Sequence, residues 1–280
     1  MGNTLVLYHN DEDGFCSAWV FNKFLKEGIT YRSINYGDPV PSDIDSFDEV
    51  YLLDFSFKRY EVIDIAARVT KLWILDHHKT AAEELVDLSE NVLAFIDQDR
   101  SGCQLTWDFM HFASPDIYSE IIPRNDRPKI VDYVADRDLW QWKLHDSELV
   151  NLWIKTLPFD FNFWDNAERE LMDYYWTVLE KGAAIKDYQD KLIKRMADTA
   201  IKIKQWDLDV ILANAPILQS ELGEYLKHET DVVVMWWQDR GTYRHSLRSS
   251  VIDVSEIAKK YGGGGHTLAA GFEAGHFIFS

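Results

Sequence analysis

Three short apolar runs, each ending in acidic or histidine residues, constrain this chain more than any other feature. TLVLYH (4–9) leads into Asn10-Asp11-Glu12-Asp13, EVYLLDFS (49–56) carries Asp54 near its end, and KLWILDHH (71–78) closes on Asp76-His77-His78. Runs of this length that are apolar at successive positions read as strands buried on both faces. Stretches with helical spacing lie between them: FCSAWVFNKFLKEG, opened by Gly14 and stopped at Gly28, and FKRYEVIDIAARVT (57–70). TYRSINY (30–36) is rich in β-formers, NVLAFID (91–97) reads as a further strand and GCQLTWDFMHF (102–112) as a further helix. This alternation places the chain in the α/β class, with a mainly parallel sheet and flanking helices. Ligands of such sheets bind beyond the carboxyl ends of the strands, so the three polar termini are expected to converge on one edge.

From about residue 167 to 204 the pattern is helical, with Gly182 as an interruption. It then changes to short strands and helices: DLDVILAN, ELGEYLKH, DVVVMWWQD, GTYRHSLRSS, VSEIAKKY and GGGGHTLAAGF. The chain therefore divides into a first unit over 1–185, a helical connector over 186–206 and a smaller α/β unit over 207–280.

The formal net charge is −18, from 29 Lys and Arg against 47 Asp and Glu, and residues 1–189 hold −17 of it. A surface of this sign repels long polyanions and lacks the basic stripe of a duplex-DNA binder. A short anionic substrate, drawn in by bound metal and a few placed cations, is compatible with it. The two cysteines, Cys16 and Cys103, form no C-x-x-C pair, so neither a disulfide framework nor a zinc knuckle is indicated. No apolar run approaches the roughly 18 residues of a membrane span, and no secretory pattern opens the chain. A soluble cytoplasmic protein without a membrane partner is expected.

The polar termini have the chemistry of metal ligands. His9, Asp11 and Asp13 lie within five residues, and a set of carboxylates with imidazole suits manganese or magnesium better than a thiophilic metal. The competing reading is a solvated loop with a helix cap at Asp13. In Asp76-His77-His78 one imidazole can ligate while its neighbour faces a substrate oxygen, or one His caps the next helix. Asp54 after an apolar run needs a partner or a metal if buried, or else caps a helix. Asp132, Asp136 and Asp138 in DYVADRDLW form either part of the site or an acidic surface. In the last third, Gly262–His266 exposes backbone N–H groups suited to an anion. Arg248, with Ser249 and Ser250, supplies a bidentate phosphate donor just upstream. Trp236, Trp237 and Tyr243 near Arg240 and Arg244 read as core strand residues rather than as a stacking surface for bases.

In order, HNDEDG, LLDFS, LDHH, YVADRDLW, SLRSS and GGGGHTLAAG resemble the motifs of the DHH superfamily of phosphoesterases, followed by its DHH-associated C-terminal domain. The resemblance spans nearly the whole chain. It implies a DHH catalytic domain over 1–185, a substrate-binding domain over 207–280 and an active-site cleft between the two. It further implies two divalent ions, usually manganese, with magnesium or cobalt as substitutes. His9, Asp11, Asp13, Asp54, His77 and Asp136 would be the ligands, with Asp54 bridging and His78 facing the scissile phosphate. Asp138 is the alternative to Asp136. Arg248, Ser249, Gly263, Gly264, Gly265 and His266 would hold the rest of the substrate. Several family members separate the leading His from the first Asp by three residues where this chain has only Asn10, which leaves the role of His9 open. Two-metal logic then supplies an activated water without a protein nucleophile.

The activity implied is hydrolysis of phosphate esters in a short nucleotide: a short oligonucleotide, a cyclic dinucleotide or 3′-phosphoadenosine phosphate (pAp). A single-strand exonuclease, a polyphosphate or pyrophosphate hydrolase and a catalytically silent nucleotide-binding module are the alternatives. A homodimer is left open.

Overall fold

The computed structural model describes residues 3–25, 27–113 and 126–279, the side chains of 112 and 113 excepted. It forms two compact units, Met1–Ile185 and Lys186–Ser280.

The first unit is built on five strands, β1 (Thr4–His9), β2 (Ile29–Ile34), β3 (Glu49–Leu53), β4 (Lys71–Asp76) and β5 (Val92–Ile96), in the order β2-β1-β3-β4-β5. All neighbours pair in parallel, so every strand ends on the same edge. Side chains alternate between faces with period two. Val6, Tyr51 and Leu75 join one buried cluster, and Leu5, Leu7, Val50, Leu52 and Ile74 join the other. Burial on both faces is why the strands read as continuous apolar runs.

Helices α1 (Glu12–Phe24), α4 (Gly102–Ala113), α5 (Lys129–Asp138), α6 (Ser147–Ile154) and α7 (Phe161–Asp173) supply the first cluster. Trp19, Trp107 and Trp164 are almost fully buried there. Helix α2 (Arg59–Ala66) covers the opposite face with Val62 and Ile65, and α3 (Lys79–Glu84) adds Ala81.

The long helical stretch behaves differently from its sequence pattern. Helix α7 ends at Asp173, and α8 runs unbroken from Tyr175 to Asp198, so the break falls at Tyr174 and not at Gly182. Gly182 serves packing instead: a Cβ there would lie 2.2 Å from the Leu149 carbonyl oxygen of α6. Only glycine lets the two helices approach this closely. The expected connector is also helical only to Asp198, because Ile201–Gln205 forms β6 of the second sheet.

The second unit carries six strands in the order β10-β11-β9-β8-β7-β6. These are β6, β7 (Leu208–Asn214), β8 (Val232–Asp239), β9 (Thr242–Arg248), β10 (Gly264–His266) and β11 (Ala269–Ala274). β7 and β8 are parallel, joined through α9 (Gln219–Leu226), and the other pairs are antiparallel. Helix α10 (Val254–Lys259) buries Val254, Ile257 and Ala258 on one face of this sheet, and α9 buries Leu222 and Leu226 on the other. Trp236 packs 4.6 Å from Phe277, as expected of a core strand residue. Among the described residues, no helix is long and apolar enough to cross a membrane.

Candidate metal centre and active site

The order β2-β1-β3-β4-β5 reverses direction between β1 and β3, and a crevice forms at the carboxyl edge of such a switch point. His9 ends β1, Asp54 follows β3 and His77 follows β4, so three strand ends deliver their polar residues to this place. Asp11 caps α1 by accepting from Gly14 N at 2.9 Å. Asp13, in the first turn of α1 and 2% exposed, accepts from the Gly102 and Cys103 amides at 2.6 and 3.0 Å. Its charge therefore sits on the N-terminus of α4, where the helix dipole favours it. Asp54 is 1% exposed and adopts left-handed backbone (φ 56°). It does not cap α2, whose N-cap is Lys58. Gly102 leaves room for it, since a Cβ there would stand 2.4 Å from the Asp54 Cβ.

These side chains converge in three overlapping groups: His9, Asp11 and Asp54; Asp13, His77 and Asp138; and Asp54, His77 and His78. In each, one ligand atom per residue lies within 4.8 Å of the others. His9 Nδ1 stands 2.7 Å from Asp11 Oδ2 and 3.8 Å from Asp54 Oδ2. His77 Nε2 stands 3.2 Å from Asp54 Oδ1, 3.4 Å from Asp138 Oδ2 and 4.0 Å from Asp13 Oδ2. Asp54 thus touches both the His9 side and the His77 side.

Asp136, the residue carried over from the motif, is not in these groups. Its carboxylate accepts from Lys143 N at 2.8 Å and Leu144 N at 3.2 Å, holding the loop after α5. Two residues further along a helix the side chain turns by about 200°, and Asp138 is the residue that reaches His77.

The donor set fits divalent cations on its own chemistry. Asp54 Oδ1 and Asp138 Oδ2 are buried atoms without a hydrogen-bond partner among the described residues. Burial pushes the Asp54 carboxyl well above the usual carboxylate range, and neighbouring Asp13, Asp11 and Asp138 push it further. Burial does the same to Asp138, again with Asp13 and Asp11 adding to it. A cluster that rejects its own negative charge is one that cations satisfy. Oxygen and imidazole donors suit magnesium or manganese. Cys16 and Cys103 are fully buried and belong to none of the groups.

His78 is placed differently from His77. Its Nδ1 lies 2.7 Å from Asp76 Oδ1, which also accepts from the His77 and His78 amides. Burial alone would lower the His78 pKa, but the Asp76 contact outweighs it and the pKa rises. Although His78 occupies the N-cap of α3, its side chain makes no capping bond. Asp76, buried and turned toward His78, therefore orients this imidazole.

Tyr36, in the turn after β2, also borders the centre, with ring centroids 5.3 Å from His9 and 5.6 Å from His78. Sequence reasoning did not single it out. Its only signal was a position just beyond the end of a strand neighbouring β1.

In the second unit, the Arg248 guanidinium donates to Ser246 Oγ, Leu247 O and Ser220 Oγ at 2.9–3.0 Å. Ser249 Oγ donates to Asp231 O and accepts from Val251 N and Ile252 N, which makes it a turn residue. The glycine run is partly spent on structure. Gly262 N and Gly263 N donate to Lys259 O and Ala258 O at the end of α10. Gly264–His266 pairs with β11, and a Cβ at Gly263 would lie 2.1 Å from Gly271 O. His266 is exposed.

Residues 3–135 match the DHH family, N-terminal domain, and residues 186–275 match the DHHA1 domain. Oligoribonuclease NrnB of Bacillus subtilis is 27% identical over 301 residues, covering 94% of this chain and 71% of NrnB. An uncharacterized protein of Acanthamoeba polyphaga mimivirus is 27% identical over 297 residues, and the alignment spans 95% of this chain and 66% of the viral protein. Among solved structures, Thermus thermophilus RecJ with Mn2+ superposes with a TM-score of 0.58 at 14% identity, covering 97% of this chain and 49% of RecJ. The pGpG-specific phosphodiesterase PggH of Vibrio cholerae gives 0.52 at 15% identity, covering 96% and 92%. The two domain matches, in this order and over this fold, show that the chain belongs to the DHH superfamily of metal-dependent phosphoesterases, with a C-terminal DHHA1 domain.

Proposed function

We propose that this protein hydrolyses phosphate ester bonds of a short nucleotide substrate, such as a short oligonucleotide, a cyclic dinucleotide or pAp, with two manganese ions as its preferred cofactors. The observation that carries this reading is the cluster at the carboxyl edge of the first sheet, whose buried Asp54 and Asp138 oxygens have no hydrogen-bond partner among the described residues. Divalent ions bound there would neutralise phosphate oxygens and lower the pKa of a water.

His9, Asp11 and Asp54 would hold one ion, and Asp13, Asp54, His77 and Asp138 the other. His78, oriented by Asp76, faces the reacting phosphate. Arg248 binds a second phosphate with its remaining donors, since three of its five N–H groups account for its described bonds, and His266 assists it. The −17 charge of residues 1–189 favours a short substrate over a long strand. The oligoribonuclease and pGpG-phosphodiesterase names of two relatives point the same way.

The test is kcat/KM with manganese on pAp, a dinucleotide, a cyclic dinucleotide, polyphosphate and single-stranded DNA. Preference for the nucleotides of one or two units is expected. Faster cleavage of long single strands or of polyphosphate would refute the assignment.

A further inference from the structure

Tyr36 stands at the centre without a role in the reading above. It lies in a turn closed on itself: Asp38 N donates to Asn35 O at 3.1 Å, and Asp38 Oδ2 accepts from Asn35 N at 2.8 Å. Gly37 follows in left-handed backbone (φ 91°). The turn projects beyond the carboxyl end of β2, the neighbour of β1. The Tyr36 ring packs 4.9 Å from Phe55 and also meets His9, on one side of the cluster, and His78, the imidazole held by Asp76. Half of the residue remains exposed (51%). Its hydroxyl makes no hydrogen bond to another described residue.

A phenylalanine would make the same ring contacts, so packing does not account for the hydroxyl. In the reading above the reacting phosphate lies against His78 and Asp54, beside this ring. Apart from the two imidazoles, the side chains grouped there are the carboxylates of Asp11 and Asp54, which in their charged form offer no donors.

We propose that Tyr36 contacts the substrate, donating a hydrogen bond from its hydroxyl to an oxygen of the reacting phosphate while its ring restrains His78. The proposal rests on the phosphoester hydrolysis proposed above. A neutral donor aimed at an oxygen that gains charge in the transition state accelerates the chemical step more than it tightens binding.

The test is Tyr36→Phe, which keeps the ring and removes the hydroxyl, assayed with manganese on bis(4-nitrophenyl) phosphate and on a dinucleotide. Roughly ten- to a hundredfold loss of kcat is expected on both substrates, the range of a hydrogen bond to a charged group. The manganese concentration for half-maximal activity and the melting temperature should stay unchanged. Binding of inorganic phosphate to the manganese-loaded protein, followed by titration calorimetry, should weaken as well, by a smaller factor than kcat falls.

Wild-type rates in Tyr36→Phe would overturn the proposal. So would a loss confined to the dinucleotide, which would make Tyr36 a nucleoside contact. Tyr36→Leu serves as the packing control: if Tyr36→Phe loses as much activity and melting temperature as Tyr36→Leu, the role is structural and the proposal fails. If the wild-type protein cleaves neither ester, the hydrolase reading falls by itself. The phosphate titration then still decides on Tyr36, because equal phosphate affinity in wild type and Tyr36→Phe would refute the contact.

Discussion

Asp136 and Asp138 lie two residues apart, and exchanging each for asparagine should produce opposite phenotypes. The Asp136 carboxylate accepts two backbone hydrogen bonds, from Lys143 and Leu144, and touches no group of the metal cluster. An asparagine there keeps one acceptor oxygen and leaves an N–H poorly satisfied, at a cost of about 1–3 kcal/mol. In a unit of this size that lowers Tm by roughly 2–12 °C, equally with and without manganese. Asp138 is half-buried, with its Oδ2 enclosed toward His77 and accepting no hydrogen bond from the described residues. Asp138→Asn removes a charge that the metal-free protein tolerates poorly, so the Tm of the metal-free protein should hold or rise. What it loses is the stabilisation by metal. Manganese at a hundred times its Kd adds about 2.7 kcal/mol, and a hundredfold weaker site leaves about 0.4 kcal/mol. The manganese-induced rise in Tm should therefore shrink by roughly 5–9 °C. Thermal denaturation of the two variants across a manganese titration measures both effects. A full manganese-induced rise in Asp138→Asn, with its loss in Asp136→Asn, would return the ligand role to Asp136 and refute the geometric argument.

Asp54→Ala should abolish turnover while the protein stays folded, since this residue meets both sides of the cluster; near wild-type kcat with manganese would sink the two-metal reading. His77→Ala should be partly rescued by high manganese, whereas His78→Ala should lower kcat with unchanged metal dependence, and identical rescue curves would show that the two histidines share one role. Arg248→Ala should cost on the order of ten- to a hundredfold in kcat/KM on a dinucleotide and little on a nitrophenyl ester, with Arg248→Lys recovering part; equal losses on both, with a lowered Tm, would make Arg248 a structural residue. Gly182→Ala should destabilise by roughly 1–3 kcal/mol despite alanine's better helix propensity, because its Cβ meets the Leu149 carbonyl at 2.2 Å; an unchanged or raised Tm would contradict that.

Much of the centre was legible because a parallel sheet buried on both faces writes itself as apolar runs, and the first polar residue after each run is where the strand ends. His9, Asp54 and the Asp76-His77-His78 group followed from that rule; the choice of His77 over His78 as ligand came only with the family resemblance. Asp138 did not, because a helix offers Asp132, Asp136 and Asp138 on different sides, and only its docking against the strand ends chooses among them. Tyr36 was hidden for a related reason: nothing local says that β2 lies beside β1. At the other end, four glycines in a row suggested amides exposed to an anion. Two of those amides close a helix end and the run pairs with β11, which requires knowing that β10 folds onto β11. The position of the helix break was equally illegible, since Gly182 looks like an interruption until the Leu149 backbone is seen against it.

The bond between Asp13 and the first amides of α4 ties a residue near the start of the chain to one some ninety positions later. The carboxylate proposed here as a cation ligand is also the anchor of a helix end, so on that proposal loosening either loosens the other. This helix terminus should fray together with the loss of metal as one cooperative unit. The Gly102 and Cys103 amides then become natural reporters: their hydrogen exchange should slow as manganese fills the centre, without any substrate present. Adding a chelator should likewise expose the 97–102 segment to proteases before the rest of the sheet yields.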